Sequence, residues 1–160
     1  MRCLIVSDTH GKTNNLDQVL EEIEPIDYFF HLGDICDVDL FTSVEISCPK
    51  AIIAGNNDYW GPYPKETMVD LAGHSIWICH GHRYGIYYGT EELKDQGRSR
   101  GADIVMCGHS HVPVIDIEDD VWVVNPGSLT YPRQANKLPS YIIMDIDDSG
   151  EVSFVLKYIE

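Results

Sequence analysis

Apolar residues fall along this chain in short runs separated by polar clusters, and the spacing within each run assigns the elements. Arg2 to Ser7 is continuous enough to read as a strand buried on both faces. Leu16, Val19, Leu20 and Ile23 then recur at helical spacing, with Asn14 or Asn15 placed to cap the helix and Pro25 to end it. Tyr28–Leu32 and Ala51–Ala54 read as the second and third strands, with a short helix near Val38 to Val44 between them. Tyr59 to Pro64, rich in aromatic residues and proline, reads as an exposed loop. Glu66–Leu71 and Ser75–Cys79 form a predicted hairpin turning at Ala72-Gly73-His74. A helix from Thr90, its candidate cap, to Arg100 precedes the strand Ile104–Cys107. Strands follow at Val114–Ile117, Val121–Val124, Tyr141–Ile146 and Val152–Tyr158, interrupted by a tight loop at Asn125-Pro126-Gly127-Ser128.

Strands alternating with helices and then strands alone point to α/β layers around a mostly buried sheet system. No repeat or linker divides the chain, so residues 1–160 are expected to form one domain. The hydrophobic share of 44% suits a globular core. The net charge of −15 excludes a basic footprint for long nucleic acid and favours a small substrate. No run reaches the ~20 apolar residues of a membrane span. The start Met1-Arg2-Cys3-Leu4-Ile5-Val6 meets Asp8 too soon for a secretory segment, so a cytoplasmic location and no membrane partner are expected. The five cysteines are odd in number and form no Cys-x-x-Cys pair. Cys3, Cys79 and Cys107 lie in apolar runs and read as core residues, and free thiols fit a reducing compartment.

Chemistry collects where apolar runs stop. His109 and His111, at i and i+2 in extended backbone, point to one face just after the strand Ile104–Cys107. Four other runs end in Asp8 and His10, in Asp34, in Asn56 and in His80. Ligands in open α/β sheets bind beyond the carboxyl ends of the strands, so these residues are expected on one rim. Seven ligands exceed what one tetrahedral zinc takes and suit two ions. Carboxylate, amide and imidazole without thiolate suit Mn²⁺ first, with Zn²⁺, Fe, Ni²⁺ and Co²⁺ as alternatives. Two ions ~3.5–4 Å apart need a shared anionic bridge, for which the lone carboxylate Asp34 is the candidate.

The ordered set Asp8-x-His10, Gly33-Asp34, Gly55-Asn56, His80-Gly81 and Gly108-His109-x-His111 resembles the calcineurin-like metallophosphoesterase superfamily, in particular its small bacterial and archaeal members without cap domains. Asn125-Pro126-Gly127-Ser128 extends the likeness. The resemblance implies a sandwich of two mixed β-sheets flanked by helices in four layers. It assigns one metal to Asp8, His10 and His111 and the other to Asn56, His80 and His109, with Asp34 between. It also implies hydrolysis of a small phosphate ester, a diester before a monoester, by a hydroxide bridging the ions.

One departure matters. Many members carry a histidine, held to protonate the leaving group, where this chain has Asn57, and an amide cannot act as a general acid at neutral pH. His82, two residues past His80, is the candidate substitute, and Asp58 is expected to orient its neighbours. His31 reads as a hydrogen-bonded core residue and His74 as an exposed turn residue. Tyr59, Trp60 and Tyr63 are candidates for a substrate rim, and Arg83 and Arg133 for steering an anion. Asp116 to Asp120 reads as a solvated turn. Tyr59–Tyr63 and Tyr84–Tyr88 are candidate surfaces for a homo-oligomer. The competing class is a metal-binding scaffold of the same fold that works by protein interaction, for which a eukaryotic retromer subunit resembling this family is the precedent.

Overall fold

Along Arg2–Val6 (β1), Cys3 and Ile5 face one way, Leu4 and Val6 the other, and all four are fully buried. A strand buried on both faces must lie inside a layered structure. The computed structural model, which describes residues 1–23 and 25–160, shows two five-stranded sheets face to face. The first has the order β10-β9-β1-β2-β3. Its members are β2 (Tyr28–His31), β3 (Lys50–Ile52), β9 (Ser140–Ile146) and β10 (Val152–Tyr158) around β1. The second, β4-β5-β6-β8-β7, comprises β4 (Glu66–Leu71), β5 (His74–Cys79), β6 (Ile104–Met106), β7 (Val114–Asp116) and β8 (Trp122–Asn125). The expected sandwich of two mixed sheets is present: β1, β2 and β3 are parallel, as are β5, β6 and β8, and antiparallel strands flank them.

Strand alternation divides the apolar residues into three cores. Cys3, Ile5, Phe30, Ile76, Ile104 and Met144 are among those that fill the space between the sheets. Leu4, Val6 and Phe29 turn outwards and meet Leu16, Val19 and Leu20 of α1 (Asn14–Ile23) and Phe41 of α2 (Val38–Ser43). On the other side Trp77, Val105 and Val123 meet Leu93 of α3 (Glu91–Ser99). Helices thus cover both outer faces.

Boundaries moved by a residue or two, and four local expectations change. Neither Asn14 nor Asn15 caps α1, because both lie inside it; Asn15 instead donates its side-chain amide to the Leu129 carbonyl. Thr90 does precede α3, but its hydroxyl bonds Asp116 and makes no capping bond. His74 is a strand residue: the hairpin turns on Ala72 and Gly73 alone, both at positive φ, as a two-residue turn requires. His74 is not exposed either. Its Nδ1 lies 2.7 Å from Asp103 Oδ2 and its Nε2 2.8 Å from the Gly150 carbonyl, tying the two sheets together at their turns. The acidic stretch is likewise anchored rather than simply solvated, since Asp116 and Asp119 each meet Lys94 at 3.0 Å and Asp120 meets Arg98 at 2.7 Å. No disulfide forms among the described residues, and Cys3, Cys79 and Cys107 are buried as expected. Among the described residues no helix is long and apolar enough to cross a membrane.

Candidate metal centre

All the parallel strands end on one side of the sandwich, and the candidate ligands stand just past those ends. Asp8 and His10 follow β1, Asp34 follows β2, Asn56 follows β3, His80 follows β5, and His109 and His111 follow β6. The connecting loops are stitched across the rim: Asp8 N donates to Gly33 O (3.0 Å), His10 N to Asp34 O (2.9 Å) and Gly108 N to His80 O (3.0 Å). The stitching holds backbone that side chains rarely adopt. Asp8, His10, Asp34, His109 and His111 have φ between 47° and 68°, a region costly for residues other than glycine. The glycines between them allow close approach: a Cβ on Gly55 would overlap Asp34, and one on Gly108 would overlap Ser7 and lie 2.7 Å from Asp8 Oδ2.

Two groups of ligand atoms result, each within 4.8 Å: Asp8, His10, Asp34 and His111, and then Asp34, His80 and His109. Asp34 belongs to both. Backbone carbonyls fix which imidazole nitrogen carries hydrogen. His111 Nδ1 lies 2.7 Å from Tyr131 O, and His80 Nδ1 2.7 Å from Leu32 O, so both donate there. In a neutral ring Nε2 is then a bare lone pair. For His111 that lone pair faces Asp8 Oδ1 at 3.0 Å. For His80 it faces Asp34 Oδ2 at 3.4 Å. With neutral rings, acceptor faces acceptor, an arrangement that a cation or a proton between them satisfies. Asp8 Oδ1, Asn56 Oδ1 and His80 Nε2 are all buried without a hydrogen-bond partner, which marks a site built for something further. The residues present therefore fit divalent ions.

Carboxylates and imidazoles shift one another strongly across the rim. Burial alone would raise the Asp8 carboxyl, but His10, His111 and the charge of His80 reverse this and hold it well below the usual range. Burial likewise opposes Asp34, while His80 and Asn57 hold it at about 2. Burial would lower His80, and Asp34 and Asp8 raise it overall. His109, pushed down to about 4 by burial and by His80, is neutral and ready to ligate. Cys36 Sγ lies 3.6 Å from His10 Nδ1, but burial and nearby Asp58 push its thiol up to about 11, so the thiolate is scarce at neutral pH.

Asn57 does not point its amide away from the ligands. Its backbone N donates to Asp34 Oδ1 (2.9 Å) and its Nδ2 to Asp34 Oδ2 (2.8 Å). Asp58 accepts from the backbone N–H of Gly55, Ile35 and Cys36. The His82 ring is exposed and lies 5.6 Å from that of His80 and 5.7 Å from that of His109. Burial, His80 and Arg83 lower its pKa. His31 is a core residue as expected: Gly33 N donates to its Nδ1 and its Nε2 contacts Thr9 Oγ1 at 3.0 Å, with burial holding it at about 4. Of the aromatic candidates, Tyr59 and Trp60 are 77% and 92% exposed, whereas Tyr63 packs edge-on against Phe41. Arg133 donates to Tyr87 OH (2.9 Å), and that ring lies 5.2 Å from His109.

Sequence reading missed the braces behind the ligands. Ser128 Oγ donates to Asp8 O and accepts from Tyr131 N, while Asn125 Nδ2 donates to Gly108 O at 2.8 Å. Tyr131 also sets its ring 5.5 Å from His10, with Lys12 Nζ 4.8 Å from the centroid of the Tyr131 ring. Only the compact polar loop Asn125-Pro126-Gly127-Ser128 signalled any of this.

Residues 1–149 match the family model of the calcineurin-like phosphoesterase superfamily domain. The chain is 32% identical over 163 aligned residues to the probable metallophosphoesterase YsnB of Bacillus subtilis (strain 168), covering 96% of this chain and 90% of that protein. It superposes with TM-score 0.76 and 26% identity on a conserved uncharacterized protein of Streptococcus pneumoniae TIGR4 described as a predicted phosphoesterase, covering 99% and 96% of the two chains. It also shares its fold with wild-type Vps29 of Entamoeba histolytica complexed with Zn²⁺, at TM-score 0.79, 20% identity and 99% coverage of each chain.

Proposed function

The chain belongs to the calcineurin-like phosphoesterase superfamily, and we propose that it is a divalent-metal-dependent hydrolase of a small phosphate ester, acting on diesters before monoesters. The observation that carries this reading is the convergence of buried, unpartnered ligand atoms on Asp8, Asn56 and His80 beside two ligand groups that share Asp34. In this reading Asp8, His10 and His111 hold one ion, Asn56, His80 and His109 the other, and Asp34 serves both. Mn²⁺ is the first candidate for an oxygen- and imidazole-rich set without thiolate. Bound there, such ions supply Lewis acidity towards phosphate oxygens and a water acidic enough to attack near neutral pH.

The chain's own residues do the rest. Leu32 O and Tyr131 O aim the imidazoles of His80 and His111. Asn57 orients the Asp34 carboxylate by two hydrogen bonds and is a positioning residue, not an acid. Asp58 holds the Gly55–Asn57 turn against the loop after β2. His82 stands beside the second group and is the candidate proton donor to the leaving group. Its lowered pKa leaves it largely neutral at pH 7, so turnover should depend steeply on leaving-group quality. Support for a diester comes from side chains on both sides of the ligands, with Tyr131 by His10 and Tyr87 by His109. A monoester would reach only one side.

The test is hydrolysis of bis(p-nitrophenyl) phosphate and p-nitrophenyl phosphate, with chelator and with Mn²⁺, by wild type and Asp34→Ala. Metal-dependent turnover that favours the diester and disappears in Asp34→Ala is expected. Wild type that binds its ions yet cleaves neither ester would overturn the enzymatic reading in favour of a protein-binding scaffold.

A further inference from the structure

Next to the metal centre lies a cavity of about 260 Å³ whose walls include Asn56, Asp58, Tyr59, Lys65, His82 and Arg83. Two of these, Asn56 and His82, belong to the site already described, so a substrate seated on the ligands has direct access to it. The volume is just under the ~300–1,000 Å³ of pockets that enclose a whole small molecule. It therefore suits one group of a substrate.

Its wall carries two cations and one carboxylate on a chain that is acidic as a whole. The chain carries 26 acidic and 11 basic residues, and among the described cations Arg2, Lys94, Arg98 and Arg100 form ion pairs. Among the described residues Lys65 and Arg83 form none, although both face the same cavity. The one carboxylate in the wall makes its hydrogen bonds elsewhere, since Asp58 accepts at Oδ1 from Cys36 N (2.7 Å) and at Oδ2 from Gly55 N (2.7 Å) and Ile35 N (3.1 Å). Glu66, adjacent to Lys65 in sequence, accepts from Trp77 Nε1 and Tyr84 OH on its other side. Two cations, an imidazole and a tyrosine ring thus line a space whose single carboxylate is engaged by backbone N–H groups. Cationic side chains held apart from carboxylates recognise phosphate.

We propose that this cavity takes a second, non-reacting phosphate of the substrate, so that the ester cleaved at the metal centre belongs to a molecule carrying at least one further phosphate, such as an ester of a nucleoside bisphosphate. Lys65 and Arg83 bind that phosphate, and the exposed ring of Tyr59 lies at its lip for a base or other planar group. The inference rests on the reading of the metal centre as a phosphodiesterase and adds the substrate class.

The test compares thymidine 5′-(p-nitrophenyl phosphate) with the same ester bearing a 3′-phosphate, at saturating Mn²⁺ and low ionic strength, for wild type and Lys65→Ala/Arg83→Ala. Each charge-assisted contact carries on the order of a tenfold preference. Wild type should favour the 3′-phosphorylated ester at least tenfold in kcat/KM, and the ratio should fall to near one in the double variant. Equal kcat/KM for the two esters in wild type, or an unchanged ratio in the variant, overturns the subsite. A second measurement separates this from failure of the catalytic reading: calorimetric binding of thymidine 3′,5′-bisphosphate and thymidine 5′-phosphate to the Mn²⁺-supplemented protein. If neither ester is cleaved but the bisphosphate binds tighter through Lys65 and Arg83, the subsite stands and the hydrolase reading falls. If the two nucleotides bind equally, the subsite falls whatever the activity.

Discussion

Asp34→Asn removes one negative charge from the only side chain common to both ligand groups while keeping its shape. Oδ2 of Asp34 lies 3.4 Å from His80 Nε2 and 3.7 Å from His10 Nε2, so it addresses both candidate ions. Altering residues that merely support metal ligands costs 10–100-fold in affinity. Loss of a shared anionic ligand should therefore cost each ion about 100-fold, or about 2.8 kcal/mol. Because a ligand stabilises the native state in proportion to ln(1 + [L]/Kd), the same energy appears in unfolding. For a chain of this size, 1 kcal/mol moves Tm by about 2–4 °C. The Mn²⁺-induced rise in Tm should shrink by roughly 6–11 °C per ion.

The metal-free state changes too, and the assay must subtract it. Asn57 donates to both oxygens of Asp34, and an asparagine offers only one acceptor, so about 1–3 kcal/mol is lost even in chelator. Melting curves with chelator and with Mn²⁺, alongside calorimetric titration, isolate the metal term. His10→Gln is the control, since His10 belongs to one group alone and should weaken a single binding step. If Asp34→Asn still takes up two equivalents at wild-type affinity, or if it and His10→Gln weaken the same single step, the shared-ligand argument is refuted.

Three further outcomes are expected. Gly108→Ala drives a methyl into Ser7 and Asp8 and should weaken metal binding roughly tenfold or more, whereas Gly73→Ala, with nothing within 4 Å of the added carbon, should leave it unchanged; titration of both decides. His74 is lowered by burial but raised more by Gly150 O and Asp103, for a net upward shift. Its contribution is therefore complete below the ordinary pKa of about 6.5 and is lost as pH rises through the raised folded value. His74→Gln should cost roughly 0.5–1.5 kcal/mol at pH 5.5, allowing for solvent screening at half-exposed Asp103, and less at pH 9, as urea denaturation would show. Asn57→His restores a proton donor beside the ligands and should speed esters with poor leaving groups relative to good ones, flattening the dependence of rate on leaving-group pKa.

The fold was legible because its strands are buried on both faces and leave unmistakable apolar runs, such as Leu4-Ile5-Val6 and Ile104-Val105-Met106. The positions where sequence misled are those decided by contacts distant in the chain. Thr90 has the chemistry of a cap, but Asp116 claims its hydroxyl from 26 residues away. His74 sits beside a Gly that marks a turn, yet Asp103 and the carbonyl of Gly150 draw it inside. Asn57 was readable as the departure from a pattern, but its two bonds to Asp34 could not be read from spacing. The cations of the acidic surface were only partly legible: Arg98 meets the local Asp95 at i−3, but its contact with Asp120 comes from 22 residues away.

The least legible feature is also the one that joins fold to chemistry. Among the described residues, nine other than glycine have positive φ, and five of them are Asp8, His10, Asp34, His109 and His111. Such a conformation costs about 1–2 kcal/mol per residue. Together they withhold several kcal/mol from folding in one small region. Glycine would relieve the strain at each position but would remove the side chain that the position exists to present. The strain persists because three cores fix the strand ends and the rim hydrogen bonds from Asp8 to Gly33, His10 to Asp34 and Gly108 to His80 fix the loops between them. In the proposed reading, side chains held this way would meet the metals without reorganising, which is where rigid scaffolds gain over flexible loops. A sharp upward turn immediately after a fully buried parallel strand is therefore the structural cause of the pattern first seen as apolar runs ending in Asp and His.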